Sequence, residues 1–81
     1  MNIVVYTKTG CGWAEEVKDF LNTHNIPFEE RDMLVHPKYK DEAIVKSGQW
    51  KSPTLDIDGD ILPDSDAAQV EEYLKKKGHL S

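Results

Sequence analysis

The sequence predicts a single α/β domain with the element order βαβαββα, in which three helices flank one four-stranded mixed sheet. Three observations lead to this fold class. An unbroken apolar run near the start gives way to apolar residues spaced for a helix, an Asp-Gly pair separates two short strand-like segments, and Gly or Pro stands near most of the boundaries. With 38% hydrophobic residues, residues 1–81 are enough for one domain and too few for two.

The first part of the chain predicts a strand, a helix and a second strand. The apolar run over residues 3–6 suits an inner strand, at residues 2–7, that is covered on both faces. From Trp13 to about Thr23 the apolar residues recur at spacings of three and four, which predicts a helix. Residues 28–32 are extended but highly charged, which favours a strand at the edge of the sheet, because charge discourages further pairing.

A second helix is predicted from Pro37 to about Lys46, since proline suits the first helical turn and Gly48 provides a stop. Its inward-facing residues are predicted to be Tyr39, Ala43 and Ile44. Residues 53–57 and 60–62 flank Asp58-Gly59 and predict a hairpin, because the favoured turn needs positive φ at both central positions.

The last helix is predicted to begin after Asp64-Ser65-Asp66, whose side-chain oxygens suit the free amides of a helix start, and to end at Gly78. Its apolar stripe is Ala67, Val70, Tyr73 and Leu74. The resulting order gives a right-handed parallel crossover followed by an antiparallel hairpin, with helices on both faces of the sheet.

Composition limits the partners and the compartment. A net charge of −5 lacks the basic surface that nucleic acid requires, and no apolar run approaches membrane-spanning length, so neither partner is expected. Secreted domains of this size usually carry several cysteines, whereas this chain has one, which indicates the cytoplasm. We expect a monomer. We also expect no metal site, because the three histidines lack metal-ligand spacing to the cysteine.

Three segments carry a resemblance to a known family. Val5-Tyr6-Thr7-Lys8 leads to Cys11, Ser52-Pro53-Thr54 opens the third strand, and Asp64-Ser65 precedes the last helix. Together with the element order, these segments make nearly the whole sequence similar to the glutaredoxins. The resemblance implies a thioredoxin-like fold and a thiol-disulfide oxidoreductase. It also implies that Cys11 is the catalytic nucleophile, opposite a cis Pro53.

The position of Cys11 favours reactivity on physical grounds as well. The thiolate is the reactive species, and a cysteine just before a helix faces the unpaired amides of Gly12, Trp13 and Ala14. Lys8 adds a nearby cation, and both effects favour the negative sulfur. The alternative is a buried, inert cysteine, which is the more common fate of a single Cys.

The family pattern Cys-x-x-Cys would place a second cysteine at position 14, where this chain has Ala14. Cys11 would therefore form a mixed disulfide that an external thiol must resolve. Three explanations of Ala14 are open. The chain is a natural monothiol variant, a variant in which the resolving cysteine has been replaced by Ala, or a relative whose function has changed. Cys-Gly-Trp-Ala is also similar to the Cys-Gly-Phe-Ser of monothiol glutaredoxins, so an iron-sulfur cluster carrier stays an alternative. A redox-inactive adaptor that binds a protein through Trp13, Trp50 and Pro53 is another.

The substrate-binding residues are predicted around this cysteine. Trp13 either forms a wall of the substrate groove or covers the edge of the core. The resemblance implies that Ser52 pairs its main chain with the substrate cysteine. The amides near Asp64 and Ser65 either bind a carboxylate of a glutathione-like ligand or only cap the helix, and Leu62-Pro63 replaces a glycine pair common in the family.

No tightly bound cofactor is expected, and glutathione is a candidate co-substrate. The predicted partners are a disulfide-bearing protein or a glutathione mixed disulfide. The predicted reductant is a thiol or a flavoprotein.

Overall fold

The structure is a computed structural model that describes residues 1–80. Its elements are β1 (Ile3–Thr7), α1 (Gly12–Thr23), β2 (Glu29–Asp32), α2 (Pro37–Ser47), β3 (Thr54–Ile57), β4 (Asp60–Leu62) and α3 (Ala67–Lys76). The predicted order βαβαββα is confirmed. No helix within residues 1–80 is both long and apolar enough to cross a membrane.

The strands form one mixed sheet in the order β2-β1-β3-β4. β1 pairs in parallel with β2 and antiparallel with β3, and β3 forms a hairpin with β4. Asp58 and Gly59 both have positive φ in the hairpin turn, at 51° and 94°. The apolar β1 is thus an inner strand and the charged β2 an edge strand, as their sequences predict.

The main core lies on one face of the sheet, where α1 and α3 pack. Alternation along β1 directs Ile3 and Val5 to this face and Tyr6 to the other. The core residues are Ile3, Val5, Val17, Leu21, Ile26, Leu55, Ile57, Val70 and Leu74. The stripes predicted for α1 and α3 supply four of these side chains, so the two helices pack on the sheet through a shared apolar layer.

The packing of α2 differs from its prediction. Ala43 is buried and Tyr39 partly buried, but Ile44 is 39% exposed, so its predicted inward position is wrong. Residues four apart share a helix face, whereas Ile44 lies about 100° further round the helix than Ala43. The remaining space beneath α2 is polar, because Glu42 and Lys46 reach the hydroxyl of Tyr6.

Candidate functional site

Cys11 lies at the junction between β1 and α1. Its backbone is extended, with φ −81° and ψ 112°, and its carbonyl accepts the first helical hydrogen bond from the amide of Glu15 at 3.1 Å. The amide of Cys11 donates to the carbonyl of Lys8 at 3.0 Å, which closes a tight turn in which Gly10 has φ 83°. The turn leaves the thiol partly exposed at the start of α1, as the sequence predicts.

The thiol of Cys11 faces the loop before β3. Its Sγ donates to the carbonyl oxygen of Ser52 at 3.5 Å, and the Ser52–Pro53 peptide bond is cis. The Cys11 side chain accepts no capping hydrogen bond from the first amides of α1, although the sequence predicts that they point toward the sulfur. The hydrogen-bond partner of the thiol is therefore the Ser52 carbonyl and not an amide of α1.

Ser52 joins the two loops of the site. Its hydroxyl oxygen accepts a hydrogen bond from the amide of Lys8 at 3.1 Å, while its carbonyl accepts one from Cys11. The buried hydroxyl of Thr54 donates to the carbonyl of Lys51 at 2.7 Å and accepts from Gln49 Nε2 at 3.2 Å, which fixes the segment around Ser52. No local sequence pattern assigns Gln49 or Thr54 to the site.

A second pair of contacts fixes the cysteine loop from the other side. The hydroxyl of Thr9 donates to Asp32 Oδ2 at 2.6 Å, and Asp32 Oδ1 accepts from the amides of Leu34 and Val35. Partial burial acts to raise the pKa of Asp32, but these hydrogen bonds outweigh burial and lower the pKa below its ordinary value. Asp32 is therefore a charged anchor for the loop, which sequence reasoning missed.

Lys8 is directed toward Trp50. Its Nζ lies 3.6 Å from the centroid of the indole ring, and Nζ of Lys40 lies 4.1 Å from the same centroid. Trp50 packs in turn against a second, small apolar cluster on the α2 side of the sheet, formed by Tyr6, Met33 and Ala43. The indole thus holds two ammonium groups on this side of the site. Lys8 and Trp50 were predicted from the sequence to take part in the site, whereas no local pattern connects Lys40 to them.

Trp13 lies in the first turn of α1 and is 62% exposed. Together with Asp64, Ser65 and Asp66 it lines a shallow pocket of about 190 Å³. Trp13 belongs to neither apolar cluster among the described residues. The exposed indole thus lines a pocket and does not pack into either cluster.

The three amides predicted to bind a ligand carboxylate all donate within the protein. The amide of Asp64 reaches Thr54 Oγ1 at 3.3 Å, that of Ser65 reaches the carbonyl of Pro53 at 3.0 Å, and that of Asp66 reaches Gln69 Oε1 at 3.0 Å. Asp66 Oδ1 accepts the Gln69 amide in return, which completes a capping box. Of the two roles that the sequence leaves open, helix capping is observed at Asp66, whereas the amides of Asp64 and Ser65 bond to Thr54 and Pro53.

The chain has clear relatives in sequence. A family model described as Glutaredoxin matches residues 3–62. The chain is 40% identical over 57 residues to the N-acetyl-S-hydroxy-L-cysteine reductase of Bacillus subtilis (strain 168), over 70% of this chain and 61% of that protein. It is 27% identical over 74 residues to an uncharacterized glutaredoxin-like 8.6 kDa protein in the rubredoxin operon of Clostridium pasteurianum, over 91% of this chain and 99% of that protein.

The fold also matches solved structures. The crystal structure of the thioredoxin-like protein BC3987 superposes with a TM-score of 0.79 at 26% sequence identity. The match covers 86% of this chain and 96% of that chain. The α/β fold with three helices and a four-stranded mixed sheet is therefore a thioredoxin-like fold.

Proposed function

The chain belongs to the glutaredoxin family, and from this premise we propose that it is a thiol-disulfide oxidoreductase whose nucleophile is Cys11. One observation carries the proposal: the partly exposed Sγ of Cys11 lies at the start of α1, 3.5 Å from the carbonyl of Ser52. At a helix start the first amides have no partner within the helix, and the helix dipole favours a negative group such as the attacking thiolate.

In the first step the thiolate of Cys11 attacks one sulfur of a substrate disulfide. A new bond forms between Sγ and that sulfur, the old disulfide bond breaks, and the other sulfur leaves with the electron pair and takes up a proton. Cys11 is oxidised to a mixed disulfide and the leaving thiol is the reduced product. The backbone of Ser52 pairs with the substrate cysteine as an added strand does.

The second step needs a thiol from outside the chain. Ala14 is buried at 1% exposure and offers no sulfur at the resolving position. An external thiol therefore attacks Sγ of Cys11, releases the bound substrate as a thiol, and remains as a new mixed disulfide until a further thiol or a flavoprotein-linked reductant removes it. Such a cycle depends on a reducing compartment, for which we propose the cytoplasm, and glutathione is one candidate thiol.

The name of the Bacillus subtilis relative suggests a second substrate class, a small cysteine-derived sulfenic acid. Cys11 would attack the sulfur of the S–OH group, so that a disulfide bond forms, the S–O bond breaks and the oxygen leaves as water. The product is the same type of mixed disulfide, and the same external thiol resolves it. We propose such sulfenic acids beside protein disulfides and glutathione mixed disulfides as substrates.

The experiment is to incubate the chain with glutathione disulfide and to measure adduct formation by mass spectrometry as a function of time. We expect one adduct that dithiothreitol removes, none in Cys11→Ser, and a rate at neutral pH at least tenfold above that of an unfolded peptide of residues 8–14. A rate equal to that of the peptide would show that the fold does not activate the thiol, and the proposal would be wrong.

A further inference from the structure

Three successive carbonyls in the loop before β3 bond to three different parts of the protein. The carbonyl of Lys51 accepts the hydroxyl of Thr54 at 2.7 Å, and that of Pro53 accepts an amide from the segment before α3 at 3.0 Å. Between them, the carbonyl of Ser52 accepts the thiol of Cys11 at 3.5 Å. The peptide groups on both sides of Ser52 are thus held inside the protein, while that of Ser52 is directed to the nucleophile.

The hydroxyl of Thr54 uses its full hydrogen-bonding capacity. A threonine hydroxyl has one proton to donate and two lone pairs with which to accept. The proton goes to the carbonyl of Lys51, and the accepted hydrogen bonds come from Gln49 Nε2 at 3.2 Å and from the amide of Asp64 at 3.3 Å. Because Thr54 is buried, water has little access to these bonds. One side chain therefore joins the loop that carries Ser52 to the segment before α3.

Gln49 connects this loop to α2. Its Nε2 also donates to Ser47 Oγ at 3.1 Å, and its Oε1 accepts the amide of Lys51. The hydroxyl of Ser47 donates in turn to the carbonyl of Ala43, within α2, at 2.7 Å. A continuous chain of hydrogen bonds thus runs from α2 through Gln49 and Thr54 to the backbone of the loop before β3.

We propose that Thr54 is a positioning residue for the thiol-disulfide exchange: its hydroxyl holds the Ser52 backbone next to Cys11, where an extended peptide substrate pairs with it. This role rests on the proposed function, because pairing with Ser52 matters only if Cys11 forms a mixed disulfide. The Thr54 hydroxyl contacts the loop backbone and not the thiol. It therefore controls the advantage of a peptide disulfide over a small disulfide, and not the intrinsic reactivity of Cys11.

The test uses two uncharged probes with the same leaving group. They are the 2-thiopyridyl mixed disulfides of acetyl-alanyl-cysteinyl-alanine amide, which has a backbone to pair, and of 2-mercaptoethanol, which has none. Cys11 forms a disulfide with the probe sulfur, and the thiopyridyl sulfur leaves with the electron pair and appears as 2-thiopyridone, which is followed by absorbance. Each rate is divided by that of the same probe with free 2-mercaptoethanol. The readout is the ratio of the two normalised rates, peptide probe over small probe.

In the unmodified chain we expect a ratio of about 20, since a strand pair exchanges two hydrogen bonds at one residue and each changes a rate about fivefold. Thr54→Val keeps the shape of the side chain and removes the hydroxyl, so the ratio should fall to about 5 or below. Thr54→Ser retains the hydroxyl and should restore most of the ratio. The rate of the small probe should stay within about twofold in both variants, because it needs no backbone partner.

Thr7→Val is the matched control. Thr7 is as buried as Thr54, at 1% exposure, but its hydroxyl donates to Glu30 Oε2 at 2.8 Å on the neighbouring strand β2. Any change in thiol reactivity in this variant affects both probes and cancels in the ratio, so the ratio should equal that of the unmodified chain. If circular dichroism shows that Thr54→Val is unfolded, Gln49→Met takes its place, since it removes the amide that donates to Thr54, and it should lower the ratio likewise.

Four results would overturn the positioning role and leave the proposed function intact. They are a ratio near one in the unmodified chain, an unchanged ratio in Thr54→Val or its replacement, no recovery in Thr54→Ser, and an equal fall in Thr7→Val. If neither probe reacts with Cys11 faster than with 2-mercaptoethanol, the proposed function is wrong, and the positioning role of Thr54 is wrong with it.

Discussion

The hydroxyl oxygen of Ser52 accepts the backbone amide of Lys8 at 3.1 Å, so the loop before β3 is tied to the loop that carries Cys11. The carbonyl of the same residue accepts the thiol of Cys11. The hydroxyl and the carbonyl of Ser52 thus hold Cys11 next to the backbone that is proposed to pair with substrate.

We predict that Ser52→Ala lowers the free energy of unfolding by about 1 kcal/mol, because the partly buried amide of Lys8 loses its acceptor. The reaction of Cys11 with disulfides should slow as well, since the two loops are no longer joined. Urea denaturation and thiol-labelling rates measure the two effects. Ser52→Thr keeps the hydroxyl and is the control, and an equal loss in both variants would contradict the role of the hydrogen bond.

The position of Cys11 could be predicted from local patterns, because an apolar strand, two glycines and a helical stripe follow one another directly in the sequence. The contacts of Lys40 could not, since they depend on where α2 carries it relative to Trp50. The burial of Ile44 was predicted wrongly for a related reason: polar side chains beneath α2 take the place that the apolar pattern assigned to it.

The acceptors of the amides of residues 64–66 could not be predicted from the sequence either. Their sequence is typical of a helix start, which offers free donors to an anion. Their actual acceptors are the carbonyl of Pro53, the hydroxyl of Thr54 and the side chain of Gln69. Two of these acceptors belong to Pro53 and Thr54, at the start of β3, so only the tertiary structure shows that the donors are used.

The residue at position 14 is predicted to control the lifetime of the mixed disulfide. Residues three apart at a helix start place their Cα atoms roughly 5–6 Å apart, within the range of a disulfide. Ala14→Cys should therefore release the bound substrate and form an internal disulfide, and the adduct should disappear at least tenfold faster. Mass spectrometry after a pulse of disulfide measures the lifetime. Ala14→Ser is the matched control, and equal lifetimes in both variants would contradict the prediction.

The capping box of α3 should contribute measurably to stability. Asp66 accepts the amide of Gln69 at 2.9 Å and is partly buried. Asp66→Ala should lower the free energy of unfolding by about 1 kcal/mol. Asp66→Asn retains the acceptor and should lower it by only about 0.3 kcal/mol. Urea denaturation at neutral pH separates the two. Similar losses in both variants would indicate that the charge, and not the cap, stabilises this end of the helix.

Acid should weaken the polar contacts beneath α2. Partial burial acts to raise the pKa of Asp56, but hydrogen bonds from Lys46 and from the amide of Gly59 outweigh it and lower the pKa below its ordinary value. The pKa of Glu42 is lowered likewise, because hydrogen bonds from Tyr6 and Arg31 outweigh burial. Groups with a depressed pKa in the folded state stabilise it above their unfolded pKa, and this contribution is lost as pH falls below about 4.

We therefore predict that the free energy of unfolding decreases between about pH 5 and pH 2. Lys46→Met, which removes the 2.7 Å contact to Asp56, should cost about 1–2 kcal/mol at pH 7 and less at pH 3. Lys51→Met is the control, because its exposed contact to Asp64 should contribute less than about 0.5 kcal/mol at either pH. Equal effects of Lys46→Met at both pH values would show that the Asp56 charge is not involved.

Substitution by alanine should affect stability differently at Gly12 and at Gly48, although both positions have space for a side chain. A Cβ at Gly12 or at Gly48 would meet no other atom within 4 Å, but Gly48 ends α2 with φ 78°. Gly48→Ala should cost about 1 kcal/mol of stability because a side chain is strained there, whereas Gly12→Ala should preserve stability. If substrate approaches the backbone at Gly12, that variant should slow the attack of Cys11 on glutathione disulfide. Unchanged rates would place the bound substrate away from Gly12.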